Sequence, residues 1–210
     1  MHHEGCFLCG AILGDRDIPW TDRPLFLDPR FGAVVPGAGA LVAGYVLIAP
    51  TTHSPSLCAV PLRSGFAEFL STALDFLQEA LGPLTYWEHG GTSADFRSPT
   101  SACVDHAHLH VVPGSPPLTL PSPSIVESDD LVALLDAAHA DWSARPYLLV
   151  GGTDRKCSLS SDIGVPQYFR RQLAQWTGEP HSWDYAAVPG ETRMRETVVR
   201  LLRRSQGTMT

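Results

Sequence analysis

Three histidines, His106, His108 and His110, alternate with Ala107, Leu109 and Val111, and Pro113-Gly114 closes the run. In an extended strand, side chains at i, i+2 and i+4 share one face, so the imidazoles would line up roughly 7 Å apart while the apolar residues face a core. A solvent-facing strand more commonly carries Thr, Lys, Glu or Ser, and near neutral pH imidazole serves chiefly as metal ligand, proton shuttle or nucleophile. The second grouping is Cys6-Phe7-Leu8-Cys9. Two thiolates at that spacing on a short loop can clasp one Zn²⁺, with two further N or S donors completing a tetrahedron. His53 and one histidine of the row can supply them; two buried free thiols are the alternative. Closure by four protein ligands leaves no position for a catalytic water, so a zinc there would be structural.

The elements that must position these groups are legible from the surrounding pattern. Residues 25–27, 33–35 and 45–48 are expected strands, separated by Asp28-Pro29, Pro36-Gly37 and Gly39. Residues 64–81 carry an apolar stripe at helical spacing, with Ser64 placed to cap it and Gly82-Pro83 to stop it. Residues 85–88 read as a strand, the histidine strand follows, and 113–123 is a Pro/Ser/Gly loop. Ser128 is placed to open a helix over 129–142, and 147–150 reads as a further strand. Pro166 opens a helix holding Gln167, Arg170 and Arg171, a set that can clamp phosphate or simply face solvent. The pattern predicts an α+β fold: an antiparallel meander sheet with packed helices over 1–123, and an α-rich C-terminal extension over 124–210 that completes the substrate pocket.

The chain has 210 residues, 44% hydrophobic content and a mean hydropathy of −0.01, as expected of a globular domain with a sizeable core. No apolar run reaches the length of a membrane span, and the N-terminus lacks the basic and apolar regions of a signal peptide, so a cytoplasmic protein without a membrane partner is expected. Five cysteines, an odd number, suit metal binding better than a disulfide framework. A net charge of −7 argues against broad nucleic-acid binding.

His106-x-His108-x-His110, preceded by Gly44-Tyr45-Val46-Leu47-Ile48-Ala49-Pro50 and His53, resembles the histidine-triad (HIT) family. The resemblance covers roughly residues 6–114. It implies an α+β fold, often dimeric, whose members hydrolyse or transfer nucleoside monophosphoryl groups, so the implied partners are a nucleotide substrate and a second copy of the chain. Relatives with Cys-x-x-Cys imply a zinc on Cys6, Cys9, His53 and His106. The related galactose-1-phosphate uridylyltransferases share that arrangement but replace the third histidine with glutamine; His110 keeps the hydrolase-like form.

The mechanism implied by the resemblance has His108 attack the α-phosphorus, giving a covalent nucleotidyl-imidazole that water cleaves. His110 contacts phosphate oxygens or protonates the leaving group, and a backbone carbonyl near His106 holds His108 in one tautomer. Cys103 stands where many relatives carry a serine, and His89-Gly90 lies where many use an asparagine and glycine near the phosphate. His89 is therefore a substrate contact or an exposed strand-end histidine. The expected function is hydrolysis of a nucleotidyl phosphoanhydride or phosphoramidate. The alternatives are transfer to another acceptor, nucleotide binding without turnover, and zinc-dependent hydrolysis.

Overall fold

The computed structural model describes residues 5–15, 18–62, 65–91 and 106–207. Cys103 and Ser64, both singled out in the sequence, lie outside them. Helix α1 (Phe7–Leu13) leads into strands β1 (Phe26–Asp28), β2 (Gly32–Pro36) and β3 (Val46–Pro50), then helix α2 (Phe66–Leu81). Strands β4 (Leu84–Gly90), β5 (Leu109–Pro113) and β6 (Val126–Ser128) follow, then α3 (Leu131–Trp142), β7 (Tyr147–Gly152), β8 (Arg155–Ser161), α4 (Tyr168–Trp176) and α5 (Glu191–Gly207). No described helix is long and apolar enough to cross a membrane.

Among the described residues, all eight strands join one antiparallel sheet in the order β1-β2-β3-β5-β4-β7-β8-β6, so the α+β expectation is borne out. The order is not that of a simple meander. Strand β5 inserts between β3 and β4, placing His110 opposite both Leu47 and Trp87. Its residues are apolar or aromatic on both faces, and a central position is where both faces can be covered. Residues 124–210, expected to be α-rich, supply three strands as well as three helices, and β7 hydrogen-bonds directly to β4. Strand β7 contains the expected 147–150 segment, whereas β8 is a mixed stretch whose Ser and Lys conceal it.

Strand alternation divides the core into two layers. Val34, Val46, Ile48, Tyr86, Leu109, Val111 and Leu149 pack with α2 and α3 on one face. On the other, Val35, Leu47, Trp87, Leu148 and Val150 pack with Leu8 and Ala11 of α1 and Phe169 and Leu173 of α4. His110 belongs to this second face because it pairs with Leu47 and Trp87, whereas Leu109 and Val111 enter the first core as alternation requires.

The helix starts differ from expectation in detail. Asp130, not Ser128, caps α3: its carboxylate accepts the Ala133 N–H at 2.6 Å, and the Ser128 hydroxyl oxygen accepts the Asp130 N–H. Helix α2 starts after Gly65, held at φ 91, a conformation readily available to glycine.

Candidate functional site

Cys6, Cys9, His53 and His106 converge, with one ligand atom from each lying within 4.8 Å of the others. The Cys-x-x-Cys pair is not on a loop as expected: Cys6 is the N-cap of α1, and its sulfur accepts the Cys9 N–H at 3.5 Å. A seven-residue helix with a glycine inside is too short to show its period. Both sulfurs lie 3.5 Å from His106 Nδ1, and Cys9 Sγ is 3.4 Å from His53 Nδ1. His106 Nε2–H donates to the Pro50 carbonyl at 2.8 Å, which leaves the Nδ1 lone pair aimed at the sulfurs. Burial, with lesser contributions from His53 and His108, pushes the His106 imidazole down to about 4, so it is neutral at neutral pH despite the Pro50 hydrogen bond. These four residues could hold a metal ion.

The segment carrying His53 is fastened to the histidine row by backbone bonds from Ala107 N to Ser54 O at 2.6 Å and from Gly91 N to Pro55 O at 3.0 Å. On the opposite face of β4, buried Glu88 accepts the Leu57 N–H at 2.7 Å and the Tyr147 hydroxyl, clamping the same segment from below. Burial pushes the Glu88 carboxyl up to about 8.

His106 and His108 precede the ladder, which begins at Leu109. The backbone bends at His106 and is unpaired in the sheet through His108. His108 Nδ1–H donates to the His106 carbonyl at 2.7 Å, so Nε2 keeps its lone pair and is the nitrogen left to face the cavity. Burial holds the His108 pKa down, with His89 adding to the effect against the His106 carbonyl.

His110 is held in the opposite sense. Arg170 can only donate, and its Nη1 donates to the Tyr45 hydroxyl oxygen at 3.1 Å; that hydroxyl, 2.6 Å from His110 Nδ1, then directs its own proton to the imidazole. Burial keeps the Tyr45 phenol protonated, partly offset by Arg170. His110 is therefore an Nε2–H tautomer, a hydrogen-bond donor. Burial, then His108 and Arg170, keep its pKa well below the usual histidine range. Trp87 stacks on His110 at 5.0 Å between centroids and 10° between planes, fixing the ring.

These groups line a cavity of about 330 Å³ together with His89, Leu47, Gln167, Tyr168, Phe169 and Tyr185. Tyr45, Trp87, Tyr168, Phe169 and Tyr185 give its walls an aromatic character suited to a planar ring. His89 is buried rather than exposed at a strand end: its Nε2 is 3.0 Å from Asp162 Oδ2, without in-line hydrogen-bond geometry. Gly90 packs against the Tyr147 ring, where a Cβ would come within 2.4 Å. Gln167 reaches the cavity at φ 52, its Oε1 accepting from Arg170 Nε.

Arg170 is not a free phosphate clamp. Besides Tyr45 and Gln167 it donates to the carbonyls of Gly39 and Trp183, at 2.9 Å each, and to that of Ala38. Arg171 is outside the cavity lining; its guanidinium lies 3.5 Å over the Trp183 ring and its Nε donates to Pro166 O. Tyr45 and Trp87 acquire roles that the sequence did not suggest, although Tyr45 stands inside the Gly44–Pro50 motif. Asp162 carries no local signal at all, because its partner arrives from another strand.

No family model matches the chain, and no curated protein matches it. Among solved structures, it is similar to a HIT family hydrolase from Clostridium thermocellum at 19% identity, covering 59% of this chain and 99% of the other with a TM-score of 0.39. It is also similar to a Hit-like protein involved in cell-cycle regulation from Bartonella henselae, at 15% identity, covering 54% of this chain and 82% of that one, again with a TM-score of 0.39.

Proposed function

We propose that this chain is a HIT-like enzyme that cleaves a nucleotidyl phosphoanhydride or phosphoramidate through a covalent intermediate on His108. The observation that carries this reading is the 2.7 Å bond from His108 Nδ1 to the His106 carbonyl, which leaves an unprotonated, oriented Nε2 at the wall of an aromatic cavity. A neutral imidazole there needs no prior deprotonation to attack phosphorus, and splitting one displacement into two lowers each barrier. His110, fixed as an Nε2–H donor by Tyr45 and Arg170, supplies a hydrogen bond to the phosphoryl oxygens as charge develops on them.

Zinc is the ion that fits the cluster. With Zn–S near 2.3 Å and Zn–N near 2.05 Å, a tetrahedron has S···N edges of about 3.6 Å. Three S···N edges, from Cys6 to His106 and from Cys9 to His53 and His106, are 3.4 to 3.5 Å. Two thiolates and two imidazoles close the coordination shell, so the ion would brace His106, and through its carbonyl His108, rather than activate water.

The test is intact-protein mass spectrometry under acid-free quench with dinucleoside polyphosphates and nucleoside phosphoramidates. A nucleoside monophosphate adduct on the wild type and none on His108→Ala is the expected result. Turnover by folded His108→Ala at the wild-type rate would overturn the reading.

A further inference from the structure

The site holds a fourth histidine that the triad chemistry does not use. The register that pairs Trp87 with His110 carries His89, two residues further along β4, toward His108 on the same face of the sheet, and both line the one cavity. The His89 side chain is 7% exposed and that of its partner Asp162 3%. Asp162 is itself tied down at the end of β8: its Oδ1 accepts the Gly164 N–H at 2.9 Å, which leaves Oδ2 for His89. Burial pushes the Asp162 carboxyl up, but the His89 contact and the turn N–H groups outweigh it and hold the group below its ordinary range, as a carboxylate.

A carboxylate oxygen 3.0 Å from His89 Nε2, though off the in-line direction, electrostatically favours a hydrogen on that nitrogen over a lone pair. The atom that can exchange a proton with a bound molecule is then Nδ1. His110 is poorly placed for that task, because Tyr45 donates to its Nδ1 and the adjacent Arg170 opposes a second positive charge.

We propose that His89, oriented by Asp162, is the general acid and base of the reaction, protonating the leaving group in the first step and deprotonating water in the second. This rests on the covalent reading above. In the first step His108 Nε2 forms the N–P bond while the bond from phosphorus to the leaving oxygen or nitrogen breaks. The leaving atom takes the proton from Nδ1 of doubly protonated His89, which becomes neutral with Nε2–H facing Asp162. In the second step water attacks phosphorus and passes a proton to His89 Nδ1, and the P–N electron pair returns to His108. Phosphate ester, amide or anhydride plus water gives two products, and the enzyme ends as it began. Asp162 is a positioning residue, and His89 a catalytic one.

The experiment compares adduct formation on His108 in wild type, His89→Gln and Asp162→Asn, using two esters of one nucleoside monophosphate. The 4-nitrophenyl ester has a leaving group that departs without a proton; the alkyl ester does not. General acid catalysis contributes about 100-fold or more, so that loss is expected in both variants for the alkyl ester, and a loss below about 10-fold for the nitrophenyl ester. A merely structural role would slow both esters alike, and that result overturns the inference, as does an unchanged rate with the alkyl ester. No adduct on wild type from either ester overturns the covalent reading itself, with the inference falling alongside it. Asp162→Asn keeps the side-chain shape, so one variant remains informative should His89→Gln fail to fold.

Discussion

Replacing Glu88 with glutamine should give a protein whose stability relative to wild type grows as pH rises, by an amount set by burial of that one carboxyl. Glu88 lies between β4 and the Leu57–Ala59 turn, accepting from the Leu57 N–H and the Tyr147 hydroxyl, and its ordinary value of 4.5 is raised to about 8 by desolvation. In the unfolded chain it ionises near 4.5; in the fold it keeps its proton to about 8. Between those values the native state binds the extra proton, so its contribution to stability is fully present below 4.5 and is lost as pH rises toward 8. The slope is about 1.4 kcal/mol per pH unit, giving about 3 kcal/mol lost by pH 7 and about 4 by pH 8. Glutamine fills the same volume, offers a carbonyl to Leu57 and an N–H to the Tyr147 oxygen, and does not titrate. Urea unfolding of both proteins at several pH values between 5 and 8, with equal metal loading, isolates the effect because every other titrating group cancels in the difference. The stability of Glu88→Gln relative to wild type should climb by about 1.4 kcal/mol per unit. Parallel curves would refute the argument, showing that Glu88 ionises in the fold as it does in the open chain.

Metal removal and relay disruption give two further outcomes. On the proposed zinc reading, treatment with a strong chelator, or replacing Cys9 with serine, should abolish activity and lower the thermal midpoint together, because an ion on Cys6, Cys9, His53 and His106 would join the His53 segment, α1 and the histidine row in one cluster; loss of activity in a protein with an unchanged midpoint would mark a catalytic metal instead. Tyr45→Phe removes the donor to His110 Nδ1 and leaves a buried acceptor unpaired, worth about 1–3 kcal/mol; kcat should fall about 10- to 100-fold with the adduct still forming on His108, and an unchanged kcat would contradict the relay.

Much of the site's chemistry is legible in the chain because it is written at short range. The alternation His106-x-His108-x-His110, the Cys6-x-x-Cys9 spacing and His53 after a β-branched strand are local patterns, and strand faces and a paired-thiol spacing are set locally, although bringing His53 and His106 to the two sulfurs takes the fold. The four candidate metal-binding residues do converge, and Ala107, Leu109 and Val111 do enter the core. The helix over 66–81 was equally visible, since its apolar stripe repeats over several turns.

What only the tertiary structure decided are relations between residues far apart in sequence. Arg170 reads as a phosphate clamp from its neighbours in α4, yet the fold directs its donors to Gly39, Trp183 and Tyr45, where buried acceptors would otherwise lie unpaired. His89 reads as a strand end until β8 brings Asp162 against it. The sheet order itself, with β5 between β3 and β4 and β7 beyond, follows from which strands must be covered on both faces. Residue type and local spacing set what each group is able to do; burial and the partners brought by other strands set its tautomer, its charge and its direction.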